Sequence, residues 1–298
     1  MLKNAIVYLA TPGFKFDPEL LSRTPARPCG AIEQRTAGFC APTKGAGLVY
    51  SVAGHQVICW ETEDKILPGS VVTDQLADRV EKIEIEHDRK VGRKEYRELK
   101  DQIIGELLPR AFVQHRRTHA ILAGQYFIIN SSSAARADDL MLTLSRALDA
   151  LPFKMVSTNI SPMRAMTQAV ADGDAPEQFT IDDTLELVSA SETAAKIRYV
   201  HHSVDGHEVS NHIASGKLAV KLGMTWNDRV SFVLNESMHI KRIQLLDVVM
   251  DGTGGQEAEA DKFDADIAIS VGEVTQLLDD LVIALGGFVK PEADLLAA

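Results

Sequence analysis

Between Pro68 and Pro109 the chain carries two apolar stripes at helical spacing, and this segment limits the possible fold more than any other. Val72, Leu76, Val80 and Ile83 recur four, four and three residues apart, which puts them on one face of a helix. Tyr96, Leu99, Ile103 and Leu107 repeat the pattern three or four residues apart, and Pro109 ends it. Gly92 interrupts the run between them. Two one-faced helices in succession predict an antiparallel hairpin in which the stripes cover each other. At 1.5 Å per residue, helices of about 20 residues reach roughly 30 Å, so the hairpin projects from a compact body.

The flanking sequence alternates between strand and helix signals. Ala5–Tyr8, Gly47–Val52 and Gln56–Trp60 are strand-like, with Gly54 and His55 at the turn between the last two. Thr118–Asn130 predicts two strands about Ala123-Gly124, and Ser133 caps a helix bearing Leu140, Leu144 and Leu148. Ser161-Pro162 opens another helix with proline in its first turn. From about Phe179 the α+β character repeats. Lys196–His201, Lys217–Met224, Val230–Leu234 and Ile240–Leu245 are predicted strands, and Val274–Leu285 a one-faced helix. Asp251-Gly252-Thr253-Gly254-Gly255 reads as a surface loop. The expected class is α+β, with mixed sheets, helices and a projecting helical hairpin. The divisions drawn are a central domain of 1–67 with 118–165, a hairpin of 68–117, and a second α+β domain of 166–298.

With 298 residues and 45% hydrophobic content, the chain can bury a sizeable core. It has no uninterrupted apolar run of about 18 residues, and the N-terminus lacks a secretory leader's apolar core, so a cytoplasmic protein without membrane association is expected. Cys29, Cys40 and Cys59 are odd in number and lack Cys-x-x-Cys spacing, which predicts buried, reduced thiols rather than a disulfide framework or zinc ribbon. The net charge of −11 argues against nucleic acid only until its distribution is seen. Residues 246–298 hold twelve acidic and two basic residues, whereas Arg79–Arg117 holds eleven basic and eight acidic ones. Screening beyond about 10 Å at 0.1 M salt lets a local basic surface act independently of a distant acidic block.

Several groups offer chemistry. On a continuous helix Arg89, Arg93, Arg97 and Lys100 would form one basic row suited to a phosphate backbone, a solvated helix face being the other reading. Arg110, Arg116 and Arg117 surround Phe112, an aromatic that is either an exposed partner anchor or a buried hydrophobe. His201, His202, His207 and His212 fall within twelve residues, at spacings that fit no established zinc pattern. Asp261, Asp264 and Asp266 are the candidate carboxylates for a metal-dependent nuclease, against a plain loop-to-strand junction. No Gly-Lys-Ser/Thr P-loop ending or Gly-x-Ser-x-Gly elbow occurs, and no cofactor is expected.

Short signatures add a resemblance. Lys65-Ile66-Leu67-Pro68 and Leu107-Leu108-Pro109-Arg110-Ala111-Phe112 bracket the hairpin, with Pro28-Cys29-Gly30 and Val57-Ile58-Cys59 before it. Asn211-His212-Ile213, Gly216-Lys217, Trp226, Arg229, Phe232, Phe263-Asp264-Ala265-Asp266, Gly272-Glu273 and Leu285-Gly286-Gly287 follow in order. Together they resemble the RdgC family of recombination-associated DNA-binding proteins across nearly the whole chain. The resemblance implies horseshoe-shaped subunits that pair into a ring-shaped homodimer around double-stranded DNA, without sequence preference. It also implies a nucleoid location and a functional link to RecA-dependent recombination. It assigns Phe112 to a dimer contact. Lys65, Arg89, Arg93, Arg97, Arg116, Arg117, Lys217 and Lys221 are candidates for the DNA-facing lining by charge and placement, and His201 joins them by resemblance. Some family members carry paired lysines where this chain has Val200 and His201, so a contact there would depend on pH. A metal-dependent exonuclease is the alternative expectation.

Overall fold

Two antiparallel sheets organise the chain, and they differ in how many faces they bury. The computed structural model describes residues 2–189, 195–204, 206–250 and 259–289. Strand β1 (Ile6–Ala10), the short helix α1 (Pro18–Leu21), β2 (Arg35–Cys40), β3 (Val49–Val52) and β4 (His55–Ile66) come first. Helices α2 (Gly69–His87) and α3 (Arg93–Leu107) follow, then β5 (Phe112–Ala123), β6 (Tyr126–Ile129), α4 (Ala134–Ala147), β7 (Phe153–Met155) and α5 (Pro162–Asp172). The remainder is β8 (Phe179–Ser189), β9 (Lys196–Val200), α6 (His207–Ala214), β10 (Lys217–Trp226), β11 (Val230–Asn235), β12 (Ile240–Leu245), α7 (Asp247–Met250) and α8 (Glu259–Ala284). The mixed α+β class is as the sequence predicts.

The first sheet runs β2-β4-β5-β6-β1-β7, with β3 also paired to β4. Its central strands are apolar at successive positions, as in Val57-Ile58-Cys59-Trp60 and Tyr126-Phe127-Ile128-Ile129, because both faces are covered. Phe39, Ile58, Trp60, Leu122 and Phe127 pack against Leu140 and Leu144 of α4. That helix starts where Ser133 accepts from the Arg136 N–H, and α5 likewise starts at Ser161 with Pro162 in its first turn. At the β2 edge, a Cβ on Gly38 would lie 2.2 Å from the Pro25 carbonyl oxygen, so only glycine admits this crossing segment.

The second sheet runs β12-β11-β10-β8-β9. Here strands alternate between bulges: Leu185, Leu187, Ala219, Leu222, Phe232, Leu234 and Ile243 point to a core shared with α5, α8 and the opposite face of the first sheet. Among the described residues the other face is not covered by a helix and holds charged and polar side chains together with Val233. Main-chain bonds of Ala5 with Ile240, and of the Ile243 N–H with the Lys3 carbonyl, join the two sheets.

Helix α8 is the spine between them. Its Ile267, Val271, Val274, Leu277, Leu278 and Leu281 are buried in the shared core. Tyr126 and Tyr50 of the first sheet donate to Asp279 (2.7 Å) and Asp264 (3.0 Å). Trp226 of the second sheet donates to Asp280 at 2.8 Å, and Arg229 pairs with Glu273. These contacts correct two sequence expectations. The helix begins at Glu259 rather than near Val274, so Phe263–Asp266 is helical and not a loop-to-strand junction. The four acids Asp264, Glu273, Asp279 and Asp280 are acceptors that dock the helix, Asp279 staying exposed, rather than charges held by solvent alone. The Asp251–Gly255 loop expectation lies outside the described residues.

The arm forms as its stripes predict. Val72, Leu76, Leu99 and Ile103 make a small separate core, with Val80, Ile83 and Leu107 packed on it. A 3₁₀ turn at Leu108–Arg110 closes the arm, and β5 starts at Phe112, earlier than the predicted Thr118. The early start reflects eleven continuous pairs with β4, from Gln56–Leu122 to Ile66–Phe112. This long ribbon roots the arm.

Candidate nucleic-acid interface

The open face of the second sheet gathers cations from strands far apart in sequence. On β10, Leu222 faces the core and Lys221 therefore faces out. Its register partner on β8 is Glu186, whose partner on β9 is Arg198. Farther along, Val233 of β11 pairs with Lys241 of β12. A bulge there places Arg242 and Ile243 opposite Phe232, with Arg242 in the left-handed region at φ 54°. The bulge lets the consecutive Lys241 and Arg242 line one shallow hollow of about 140 Å³ with Arg198, Lys221 and Glu186. Lys196 reaches the same carboxylate from β9 at 3.8 Å.

Among the described residues Glu186 is the acid that lines this hollow, and Asp182 lies farther along the same face beside Gly223 and Thr225. Lys221 donates to Glu186 at 2.6 Å, and that hydrogen bond is the first cause of a carboxyl held below its ordinary range, the Lys221 and Lys196 charges adding to it. Glu186 and Asp182 together are fewer than the five cations, so among the described residues the face keeps a surplus. Four strand spacings of about 4.8 Å separate β9 from β12, so the cations spread over roughly 19 Å. That exceeds the major-groove width of about 12 Å, enough to touch phosphates on both sides of a groove.

The sequence-predicted residues fall in three places. Lys221 belongs to the open face. Lys217 starts the same strand but turns the other way, its ammonium within 3.1 Å of Ser215 Oγ and His212 Nδ1 beside α6. His201 lies just past β9 at φ 53°, in a bend rather than on a strand, with Nδ1 2.9 Å from Asp183. On the ribbon, Lys65 donates to the carbonyls of Gly30 (2.6 Å) and Ala31 (2.7 Å), holding the loop before β2. Arg117 pairs with Glu61 at 3.1 Å, while the Arg116 guanidinium, on the opposite ribbon face, donates to the Gln114 side chain at 2.8 Å. The expected row of four on the arm is broken by the turn at Asp88–Gly92: Arg89 leaves it for a bidentate pair with Glu95 at 2.7 Å. Arg93, Arg97 and Lys100 remain exposed along α3, with no ion pair among the described residues.

Lys196, Arg198, Lys241 and Arg242 were not foreseen. The signal was present, since each strand alternates basic with apolar residues, but strand order alone shows that β9 and β12 share a sheet with β10. The other sequence candidates do not converge. Among the described residues no three of His, Cys, Asp or Glu are placed to hold a metal ion. Asp264 and Asp266 lie two residues apart on a helix and so point about 200° from each other. Phe112 stands 83% exposed, with its cross-strand neighbour Ile66 at 46%. No described helix is long and apolar enough to cross a membrane.

The structure is thus an α+β body with a helical arm and a sheet face on which cations outnumber acids among the described residues. Comparison with known proteins narrows this class. The family model described as "Putative exonuclease, RdgC" matches residues 1–288. The Recombination-associated protein RdgC of Dechloromonas aromatica is 40% identical over 280 residues, covering 92% of this chain and 91% of that protein. Its namesake from Cupriavidus pinatubonensis is 41% identical over 263 residues, covering 87% and 88%. The chain belongs to the RdgC family.

Proposed function

We propose that this protein binds double-stranded DNA through the phosphate backbone, without sequence preference and without cutting it. The observation that carries this reading is the open basic face, where five cations surround Glu186. Lysine and arginine on a sheet surface address phosphates rather than base edges, which gives affinity without sequence information. The recombination-associated relatives favour DNA as the polyanion, and the same relationship supports a role in modulating RecA-dependent recombination on the nucleoid.

The acting unit in this reading is a ring-shaped homodimer of horseshoe-shaped subunits. Phe112 and Ile66, side by side and exposed at the arm's root, supply an apolar contact of the kind that anchors interfaces. The competing reading is a metal-dependent exonuclease, favoured by the description of the family model. Its sequence candidates Asp264 and Asp266 diverge, and Asp264 already accepts from Tyr50.

One titration separates the two. A random-sequence duplex is bound in parallel with Mg²⁺ and with EDTA, and its length is read afterwards on a gel. Binding of equal strength in both arms with intact DNA is expected. Phe112→Asp should lower duplex affinity and the sedimenting mass together. DNA that shortens only with Mg²⁺ would overturn the non-enzymatic reading.

A further inference from the structure

Cys40 on β2 and Cys59 on β4 are directly opposite each other, and His119 on β5 is directly opposite Cys59 from the other side. Opposed residues of antiparallel neighbours share a face, so the three side chains form one row across the sheet. The Lys65 N–H donates to the Gln34 carbonyl, which makes 34–65 a hydrogen-bonded pair of the β2–β4 ladder. The two-residue period carries the same pair type to 40–59. Such pairs hold their Cα atoms about 5.5 Å apart, inside the disulfide window of about 4.4–6.8 Å. All three cysteines are free thiols.

The row is supplied with a base and an entrance. Cys59 is fully buried and lies within hydrogen-bonding reach of both Cys40 and His119. His119 Nε2 donates to the Pro42 carbonyl at 3.2 Å, which leaves Nδ1 as the nitrogen able to take a proton. Phe263 of α8 covers the imidazole, their rings 5.6 Å apart. The hydrogen bond between the two thiols draws Cys59 below its usual range against the opposing effect of burial, with His119 and Arg117 acting in the same direction, and it pushes Cys40 above its usual range, burial and Glu61 adding to this. Cys40 is only partly buried. It lines an open hollow of about 240 Å³ together with Pro28, Glu61, Glu63 and His115.

We infer that Cys40 and Cys59 form a modification site, a cross-strand dithiol that hydrogen peroxide converts reversibly to a disulfide. Cys59, the more acidic sulfur of the pair, takes the Cys40 proton as the Cys40 sulfur in the hollow attacks one peroxide oxygen. The O–O bond breaks, Cys40 becomes a sulfenic acid, and the departing hydroxide takes up a proton to leave as water. Cys59 then gives its proton to His119 and attacks the Cys40 sulfur. The S–O bond breaks, the S–S bond forms, and the second hydroxide recovers that proton from His119 as a second water. Two thiols are oxidised, one peroxide is reduced, and two waters leave. Cys29 has no cysteine partner; its thiol donates to the Glu63 carbonyl at 3.1 Å. It serves as an internal reference.

The test is a peptide map of the full-length reduced protein after graded hydrogen peroxide, with remaining thiols alkylated under denaturing, non-reducing conditions. The expected result is a linked Cys40–Cys59 peptide, lighter by two hydrogens, formed at least tenfold faster than Cys29 is oxidised and reversed by dithiothreitol. In Cys59→Ser, a dimedone-trapped sulfenic acid on Cys40 should replace the linked species. The wild-type map stands alone if that variant does not fold. Three alkylated cysteines after peroxide, or oxidation at Cys29 alone, would overturn the inference.

Discussion

At the scale of single residues, the cations of the open face are held out of their neighbours' way by one shared acid. Glu186 orders Lys221 and Lys196 without neutralising the patch, so in the proposed binding mode phosphates would meet side chains already gathered. The lowered Glu186 carboxyl gives a pH signature with a definite sign. A carboxyl depressed in the folded state contributes stability that is present above its unfolded value and lost as pH falls through its folded one. Lys221→Met removes the first cause of the depression. In a carboxyl-detected NMR titration the Glu186 midpoint should then move up toward the ordinary glutamate range. An unmoved midpoint would mean that Lys221 does not set this charge. The acids of α8 teach the complementary lesson. They look like a solvated block in sequence, yet Asp264, Glu273, Asp279 and Asp280 each have a donor from one of the two sheets.

At the scale of elements, the arm was the most legible part of the chain because its apolar positions pair only with each other. Spacing alone located Val72, Leu76, Leu99 and Ile103, and the same four make the buried arm core. The first half of α8 was illegible for the opposite reason. Its acids interrupt the apolar pattern, and their donors lie far away in sequence, on strands beside Tyr50 and Arg229. Strand β8 was missed as well, since Asp182 and Asp183 break its alternation. The arm's isolation has a measurable consequence. Ile103 is fully buried in a core of few residues, so Ile103→Ala should cost about 2–5 kcal/mol locally. Bidentate Arg79–Glu106 and Arg89–Glu95 pairs are exposed and offset little of this. Hydrogen exchange should show lost protection across residues 69–107 with β4 and β6 unchanged. Equal loss in those strands would show that the arm and body fold as one unit.

At the scale of the whole molecule, a chain with net charge −11 gathers cations from three strands on one sheet face, while twelve of its acids belong to residues 246–298. Helix α8 lies between the sheets, where its carboxylates dock it, and the second sheet leaves one face uncovered on which β8–β12 collect cations. Composition could not show this, because the five cations come from three separate strands. The most direct measurement is the salt dependence of duplex binding for the native protein and for Arg198→Ala/Lys221→Ala/Lys241→Ala. Each phosphate contact contributes roughly −0.9 to the slope of log K against log salt. The triple variant should therefore bind more weakly, with a slope shallower by roughly 2.7, while keeping its circular dichroism. An unchanged slope and affinity in a correctly folded triple variant would contradict the assignment of the open sheet face to DNA.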